Sequence, residues 1–486
     1  MRNSLRKRTN EANAILAYIG EDCCFLPKAR EAERGLKKVP KLGLLYLSSV
    51  LKKQGICCRI VDQNIQGIDS PPFLNKIRED KPLFIGFYSA TQLKQGVINF
   101  IKYLRKNELN IPIIIGGPGY FSAEDYLNAG ADFVCEGEGE ATLEELAGYL
   151  LGSGTALSDI KGISYLREGK LVTNNPRPFI EDLDTIPFPD WESADINEYA
   201  DLRIINMRRP FVTMITSRGC FGRCAFCSSP QVWGKPRFRS AKNTLSEIDY
   251  LVLRHKVRYI GFKDDVFGLN YSWLQEFCEG LIERKYDLIW SCQTHPFVLR
   301  DKTKKKLHLL RRAGCDLLVL GLQKTDPKIL QSIGRSPQEP EVVENVIAEA
   351  RRIGIMTVLE FIFGFPGETK ETIRKDLDFS KKVKPNYVHF YKLLLIEGSQ
   401  LYDVYLKRNV KICGLSVEQI NSCIFKAGLL FYLHPPVLLI NLSKVLKKPK
   451  FFLVILYYLF NQIKFISNLL FEYKKLLQNS SNSQNN

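Results

Sequence analysis

Short apolar, β-branched runs alternate with amphipathic stretches in two successive series along this chain, and that alternation restricts the fold more than any other feature. In the first series "AILAYIG", "CCRIVD" (57–62), "LFIGFYS" (83–89), "IPIIIGG" (111–117) and "ADFVCEG" (131–137) read as strands. Between the first two, "LGLLYLSSVLKKQG" (42–55) reads as a helix with Leu44, Leu47 and Leu51 on one face and Gly55 as its stop. Five such strands separated by helices specify a parallel sheet covered on both faces, a doubly wound, Rossmann-like α/β domain expected over residues 1–155.

Residues 156–204 read as a connector. "GISYLREGKLVTNN" has the form of a hairpin turning at Glu168 and Gly169, and "DTIPFPDW" (184–191) is stiffened by proline. The alternation resumes over 205–400 with "VTMIT" (212–216), "RYIGF" (258–262), "LIWSCQ" (288–293), "DLLVLG" (316–321), "MTVLEFIFG" (356–364) and "NYVHFY" (386–391). Six strands, each followed by a helix, predict a partial (βα)6 TIM-type barrel with its active site at the strands' carboxyl ends.

From 401 to 486 the alternation is lost and a helical, basic tail is expected. "FFLVILYYLF" (451–460) is ten apolar residues, half of the roughly 20 needed to span a bilayer. It reads as an amphipathic element lying on a membrane or gripping an apolar substrate, or as a helical cap on the barrel.

In a doubly wound sheet ligands bind at the carboxyl ends of the strands. "GGPG" (116–119), with Gly116, Gly117 and Gly119, and "GEGE" (137–140), with Gly137 and Gly139, stand at two of those ends. Glycine there lets backbone approach a ligand, although each stretch taken alone reads more simply as a tight turn. Neither fits the dinucleotide fingerprint GxGxxG.

The second series opens on "TSRGCFGRCAFCSSP" (216–230), which places Cys220, Cys224 and Cys227 within eight positions. The start of the chain is basic but holds no apolar run of signal-peptide length, so a cytoplasmic protein is expected, in which cysteines serve as thiols and metal ligands rather than disulfides. Structural zinc takes four ligands, and no fourth stands nearby. Three thiolates suit an iron–sulfur cube with one iron open to another ligand.

CxxxCxxC directly after the first barrel strand, with Phe226 before the last cysteine, resembles the signature of radical S-adenosylmethionine (SAM) enzymes. That resemblance implies a 4Fe–4S cluster on Cys220, Cys224 and Cys227, with SAM chelated by the open iron, Phe226 near its adenine, and reductive cleavage of SAM to a 5′-deoxyadenosyl radical. A one-electron donor such as flavodoxin or ferredoxin is implied with it. "RFRSAKN" (237–243), "GFKDDVF" (261–267) and "EFIFGFPGET" (360–369) are similar to further segments of that family. By that likeness Asp264 and Asp265 are catalytic candidates, and Glu360, Gly364, Pro366 and Gly367 are cofactor contacts. "LGLQKTD" (320–326) departs from the Gly-x-Glu-Ser of related enzymes, so Gln323 offers an uncharged hydrogen bond to SAM and Lys324 beside it alters the local field. His295, at the end of the third barrel strand, is a candidate acid, base or substrate contact.

One branch of that family resembles the chain over most of its length: a cobalamin-binding domain, the barrel, then a helical tail. "PKLGLLYLSSVLKKQG", "IIIGGPGYF" and "DFVCEGEGEATLEEL" look like that domain's segments, with Gly119 where the family often has histidine. The five histidines are His255, His295, His308, His389 and His434, so the front domain has none to coordinate cobalt.

The preferred expectation is a cobalamin-dependent methyltransferase acting on an unactivated carbon or phosphorus of a small, lipid-like substrate, with cyclisation or rearrangement as a related outcome. The formal net charge of +17 points to anionic partners, and the basic tail to contact with the inner membrane face. A methylthiotransferase acting on RNA is the rival, its second cluster on Cys23 or Cys24, Cys57 or Cys58, and Cys135; the tail offers no β-rich RNA-binding module, which makes nucleic acid the weaker partner. A non-catalytic corrinoid- or SAM-binding sensor is the third reading.

Overall fold

A computed structural model describes residues 13–19, 37–63, 70–201, 208–300, 304–335, 339–406 and 413–440. The segment 451–460 and Cys23 and Cys24 lie outside them.

The first sheet has seven strands: β1 (Asn13–Tyr18), β2 (Cys57–Asp62), β3 (Ile85–Tyr88), β4 (Ile113–Gly116), β5 (Phe133–Cys135), β6 (Ile163–Arg167) and β7 (Lys170–Thr173), in the order β2-β1-β3-β4-β5-β6-β7. The first five run parallel. Alternate residues of β1 feed opposite cores: Ala14 and Leu16 pack with Leu44, Leu51 and Leu146, whereas Ile15 and Ala17 pack with Val97, Ile101 and Leu104. This two-residue period is what a strand buried on both faces requires. Strand order reverses at β1 and β3, which opens the ligand crevice of such sheets at their carboxyl ends.

The hairpin read as part of the connector joins this sheet. β6 pairs antiparallel with β5, and β7 with β6 through a turn in which Glu168 and Gly169 take φ of 52° and 74°. The added strands cover an edge that β5 would otherwise expose.

The second sheet is β8 (Phe211–Met214), β9 (Tyr259–Phe262), β10 (Ile289–Thr294), β11 (Cys315–Gln323), β12 (Met356–Phe363) and β13 (Tyr387–Lys392), all parallel and in chain order. Helices such as Ala241–His255 and Tyr271–Arg284 cover its outer face. The second starts where Asn270 accepts the N–H of Trp273 at 3.2 Å, a side-chain cap. Behind β9, Phe262, Phe267, Trp273, Phe277 and Trp290 interlock, with Trp273 and Phe277 stacked at 5.0 Å. Each such ring pair contributes about 0.5–1.5 kcal/mol beyond its buried area, which stiffens the wall from which Asp264 projects.

Two fasteners join the halves. Asp190 accepts Ser48 Oγ at 2.7 Å and Lys52 Nζ at 2.6 Å, while its neighbour Trp191 donates Nε1–H to Glu247 at 3.0 Å. Beyond β13, buried Glu397 accepts Lys94 Nζ at 3.0 Å and Ser122 Oγ at 2.5 Å. Among the described residues no helix is long and apolar enough to cross a membrane.

Candidate active site

The loop 219–228 leaves the carboxyl end of the first barrel strand and ends at the short helix Ser229–Trp233. Its three cysteines border one cavity of about 660 Å³, together with Phe226, Asp264, Asp265, His295 and Gln323. The structure thus brings the residues read from strands one to four to one place.

The loop is built to present sulfur. Gly222 donates its N–H to Cys220 Sγ at 3.3 Å, and Ser229 donates its own to Cys227 Sγ at 3.4 Å. A Cβ on Gly222 would stand 3.4 Å from Cys220 Sγ and 3.6 Å from Cys224 Sγ, in ordinary van der Waals contact with both, so the loop wraps closely around the two sulfurs. Among the described residues no three His, Cys, Asp or Glu groups are placed to hold a metal ion. Burial, with Asp265 adding to it, pushes Cys227 up to about 11 and raises Cys220. Free Cys220 and Cys227 are therefore thiols, and ligation must displace their protons. Three sulfurs on one loop, two of them with backbone N–H donors aimed at them, fit an iron–sulfur cluster.

Asp264 borders the cavity, with Oδ2 buried and without a hydrogen-bond partner. Its buried Oδ1 accepts the N–H of Thr216 at 2.9 Å, Thr216 Oγ1 at 2.7 Å and Ser217 Oγ at 2.6 Å, which fixes the entry to the cysteine loop. Asp265 accepts the hydroxyl of Ser229 and so fixes the exit. His295 accepts the N–H of Phe297 on Nδ1 at 3.2 Å, which puts the neutral ring's proton on Nε2. Burial, helped by the cation of Arg335, lowers its pKa to about 3.

Gln323 lies where β11 bulges against β12, at φ 72°, and its Oε1 is buried without a partner. An unmatched acceptor on a cavity wall suits a ligand donor. Lys324 instead turns away into a fully buried ion-pair triad with Glu368 and Asp376, and none of the three borders the cavity.

The strand-five segment departs from expectation. Glu360, Gly364, Pro366 and Gly367 do not border the cavity. Gly364 donates its N–H to Glu368 and packs against Leu393 and Ile420, and Gly367 is exposed. Glu360 instead stands 3.5 Å from His389 Nδ1. Phe226 stands between the cavity and this turn, 5.2 Å from the ring of Phe365. Sequence reasoning missed Arg335, which donates to the carbonyl of Gly321 and reaches Cys224 Sγ at 3.7 Å. It follows a short helix with no motif around it.

In the front domain a second cavity of about 360 Å³ opens between the sheet and helices Leu42–Lys53 and Gly139–Leu150. Leu16, Leu47, Ile114 and Leu143 form its apolar depth, and Gly116, Gly117, Gly137 and Gly139 its rim. A Cβ on Gly116 or Gly137 would meet nothing within 4 Å, so a side chain there would occupy the opening. An adjoining space of about 530 Å³ shares Leu42, Gly43 and Tyr88 with it. An apolar slot with a glycine rim fits a corrinoid. Gly119 is not part of it: its N–H bonds the Ser89 carbonyl at 3.0 Å, and a Cβ would lie 2.9 Å from Tyr126 Oη. That glycine serves packing.

Cys57 begins β2 whereas Cys135 ends β5, and the two strands run in the same direction. They therefore lie at opposite ends of the sheet. Cys57 or Cys58 cannot share a second cluster with Cys135.

Two family models match the chain: the radical SAM superfamily over residues 214–380 and the B12 binding domain over 35–147. The chain carries a B12-binding domain followed by a radical SAM domain. It is 27% identical over 432 residues to an uncharacterised methyltransferase of Pyrococcus horikoshii, covering 84% of this chain and 92% of that one. It is also 27% identical over 377 residues to the anaerobic magnesium-protoporphyrin IX monomethyl ester cyclase of Synechocystis, covering 76% and 71%. The fold superposes on the radical SAM methyltransferase TsrM of Kitasatospora setae, solved with cobalamin and a [4Fe-4S] cluster, with a TM-score of 0.65, 18% identity and coverage of 82% and 75%. The first family match takes in the cysteine loop and the second the glycine-rimmed slot.

Proposed function

We propose that this enzyme is a methyltransferase that moves a methyl group from SAM to an unactivated carbon or phosphorus of a small molecule. Cys220, Cys224 and Cys227 hold the 4Fe–4S cluster, and the front-domain slot holds cobalamin. When bound, these groups supply one-electron cleavage of SAM and a methyl carrier.

The observation that carries this reading is the shared segment between the cavities. Ile215, Arg218, Val232 and Trp233 border the slot, while Cys220 to Ser229 between them border the barrel cavity. One loop thus has a cofactor site on each side. Asp264 and Asp265 fix its ends, Gln323 Oε1 receives a donor from SAM, and His295 offers a neutral Nε2–H to substrate.

A flavodoxin- or ferredoxin-like donor supplies electrons. The tail approaches a membrane face through exposed Leu438 and Leu439; unchanged liposome binding after deletion of 437–486 would remove that part. The Synechocystis likeness supports cyclisation as a second reading.

Methyl-deuterated SAM separates the two. With reduced holoenzyme and a cell metabolite extract as substrate pool, methylation yields S-adenosylhomocysteine alongside 5′-deoxyadenosine and a deuteriomethylated product. 5′-Deoxyadenosine without S-adenosylhomocysteine overturns methylation.

A further inference from the structure

The "GEGE" loop of the front domain and the approach to the first cysteine meet in a closed ion-pair quartet. Arg218, two residues before Cys220, donates Nη1–H to Glu138 Oε1 at 2.7 Å and Nη2–H to Glu140 Oε1 at 2.5 Å. Arg237, opposite Arg218 in a two-residue antiparallel ribbon, donates to Glu138 Oε2 at 2.8 Å. All four are buried, none above 8% exposed. Two cations face two carboxylates, so the quartet is formally neutral.

Its surroundings tie both halves to it. The Arg218 guanidinium lies 5.7 Å from the ring of Tyr46, on a front-domain helix, and 5.5 Å from that of Trp233, on the helix that ends the cysteine loop. Glu138, Glu140 and Arg218 all border the glycine-rimmed slot. Desolvating such charges is expensive, and a buried ion pair is weak evidence of stability by itself. Here the quartet's side chains are at once a wall of one cofactor site and the anchor of the other. The planar guanidinium of Arg218 gives one N–H to each of two carboxylates, which fixes its orientation as a point charge would not.

We propose that Arg218 is a positioning residue that couples the corrinoid slot to the cluster loop, so that occupancy of one site changes affinity at the other. This rests on the assignment of the two cofactors above. Filling the slot restrains Glu138 and Glu140; through Arg218 that restraint reaches Cys220. Linkage makes the effect reciprocal, and couplings of this kind are about 5- to 150-fold.

The test uses full-length protein with its cluster reconstituted, titrated with hydroxocobalamin by absorbance in the absence and presence of saturating SAM. In the wild type SAM is expected to tighten corrinoid binding at least about fivefold, and corrinoid to tighten SAM binding by the same factor. In Arg218→Met the factor falls to about one while iron content is kept. Arg218→Lys, which keeps the charge but loses the fork, retains part of it. An Arg218 that serves stability alone would lower thermal stability and leave the factor unchanged, and that result overturns the coupling. If Arg218→Met does not fold, Glu140→Gln decides, with the same criterion. Wild type that takes up iron but no corrinoid overturns the cofactor assignment and the coupling together, whereas wild type that binds both with a factor of one overturns the coupling only.

Discussion

Asp264, two residues beyond β9, accepts the backbone N–H of Thr216 at 2.9 Å, so the second barrel strand dictates where the cysteine loop begins. The same oxygen takes two hydroxyls, and the carboxylate is buried. Asp264→Ala leaves these donors without a partner at a cost on the order of 3 kcal/mol. Urea unfolding of the apoprotein measures that loss, and iron uptake on reconstitution should fall with it. Asp264→Asn keeps one acceptor and should be milder on both counts.

Lys324 is the single cation between Glu368 and Asp376. Burial raises both carboxylates, and the ammonium opposes that rise. A raised carboxylate pKa gives stability that is present at low pH and lost as pH climbs through the folded value. Lys324→Met removes the opposing charge, shifts that loss to higher pH, and costs about 3–5 kcal/mol near neutrality. Denaturant unfolding should show a smaller deficit at about pH 5 than at about pH 8. An equal deficit at both would mean the triad is not charged.

His295 titrates in the other direction. Its folded pKa of about 3 lies below the ordinary 6.5, so the unfolded chain takes up a proton that the folded chain refuses. Stability is therefore lost as pH falls below 6.5. His295→Gln should lose less stability than wild type between about pH 7 and about pH 5. The pH profile of SAM cleavage should show no histidine step near neutrality.

No histidine precedes His255 in the sequence, and none borders either front-domain cavity. The Co(II) form of bound cobalamin should accordingly lack nitrogen hyperfine splitting from a protein imidazole in its electron paramagnetic resonance spectrum. Observation of that splitting would require a histidine from the barrel half to reach cobalt.

The strands were legible because a strand buried on both faces is a continuous apolar run, as "IPIIIGG" and "DLLVLG" are. The cysteine loop was legible because its ligands lie within eight residues. What escaped was set by distant partners. Lys324 looked like a field at the cavity, but its carboxylates stand 44 and 52 positions on. Gly119 looked like a ligand contact until Tyr126 was seen to fill its side. The acids of "GEGE" are not legible locally because Arg218 lies 78 and 80 residues from them and Arg237 lies 99 residues from Glu138. The hairpin at Glu168 was readable locally, but its pairing with β5 was not, since an edge strand declares no partner in its own sequence.

If one loop serves two cofactors, metal content and SAM cleavage must depend on the same three cysteines in different ways. Anaerobically reconstituted protein should hold about four irons and one cobalt per chain and form 5′-deoxyadenosine under strong reductant. Replacing Cys220, Cys224 and Cys227 with alanine should abolish the iron and the cleavage while cobalt is retained. About eight irons without cobalt, or cleavage that survives loss of the three cysteines, would contradict it.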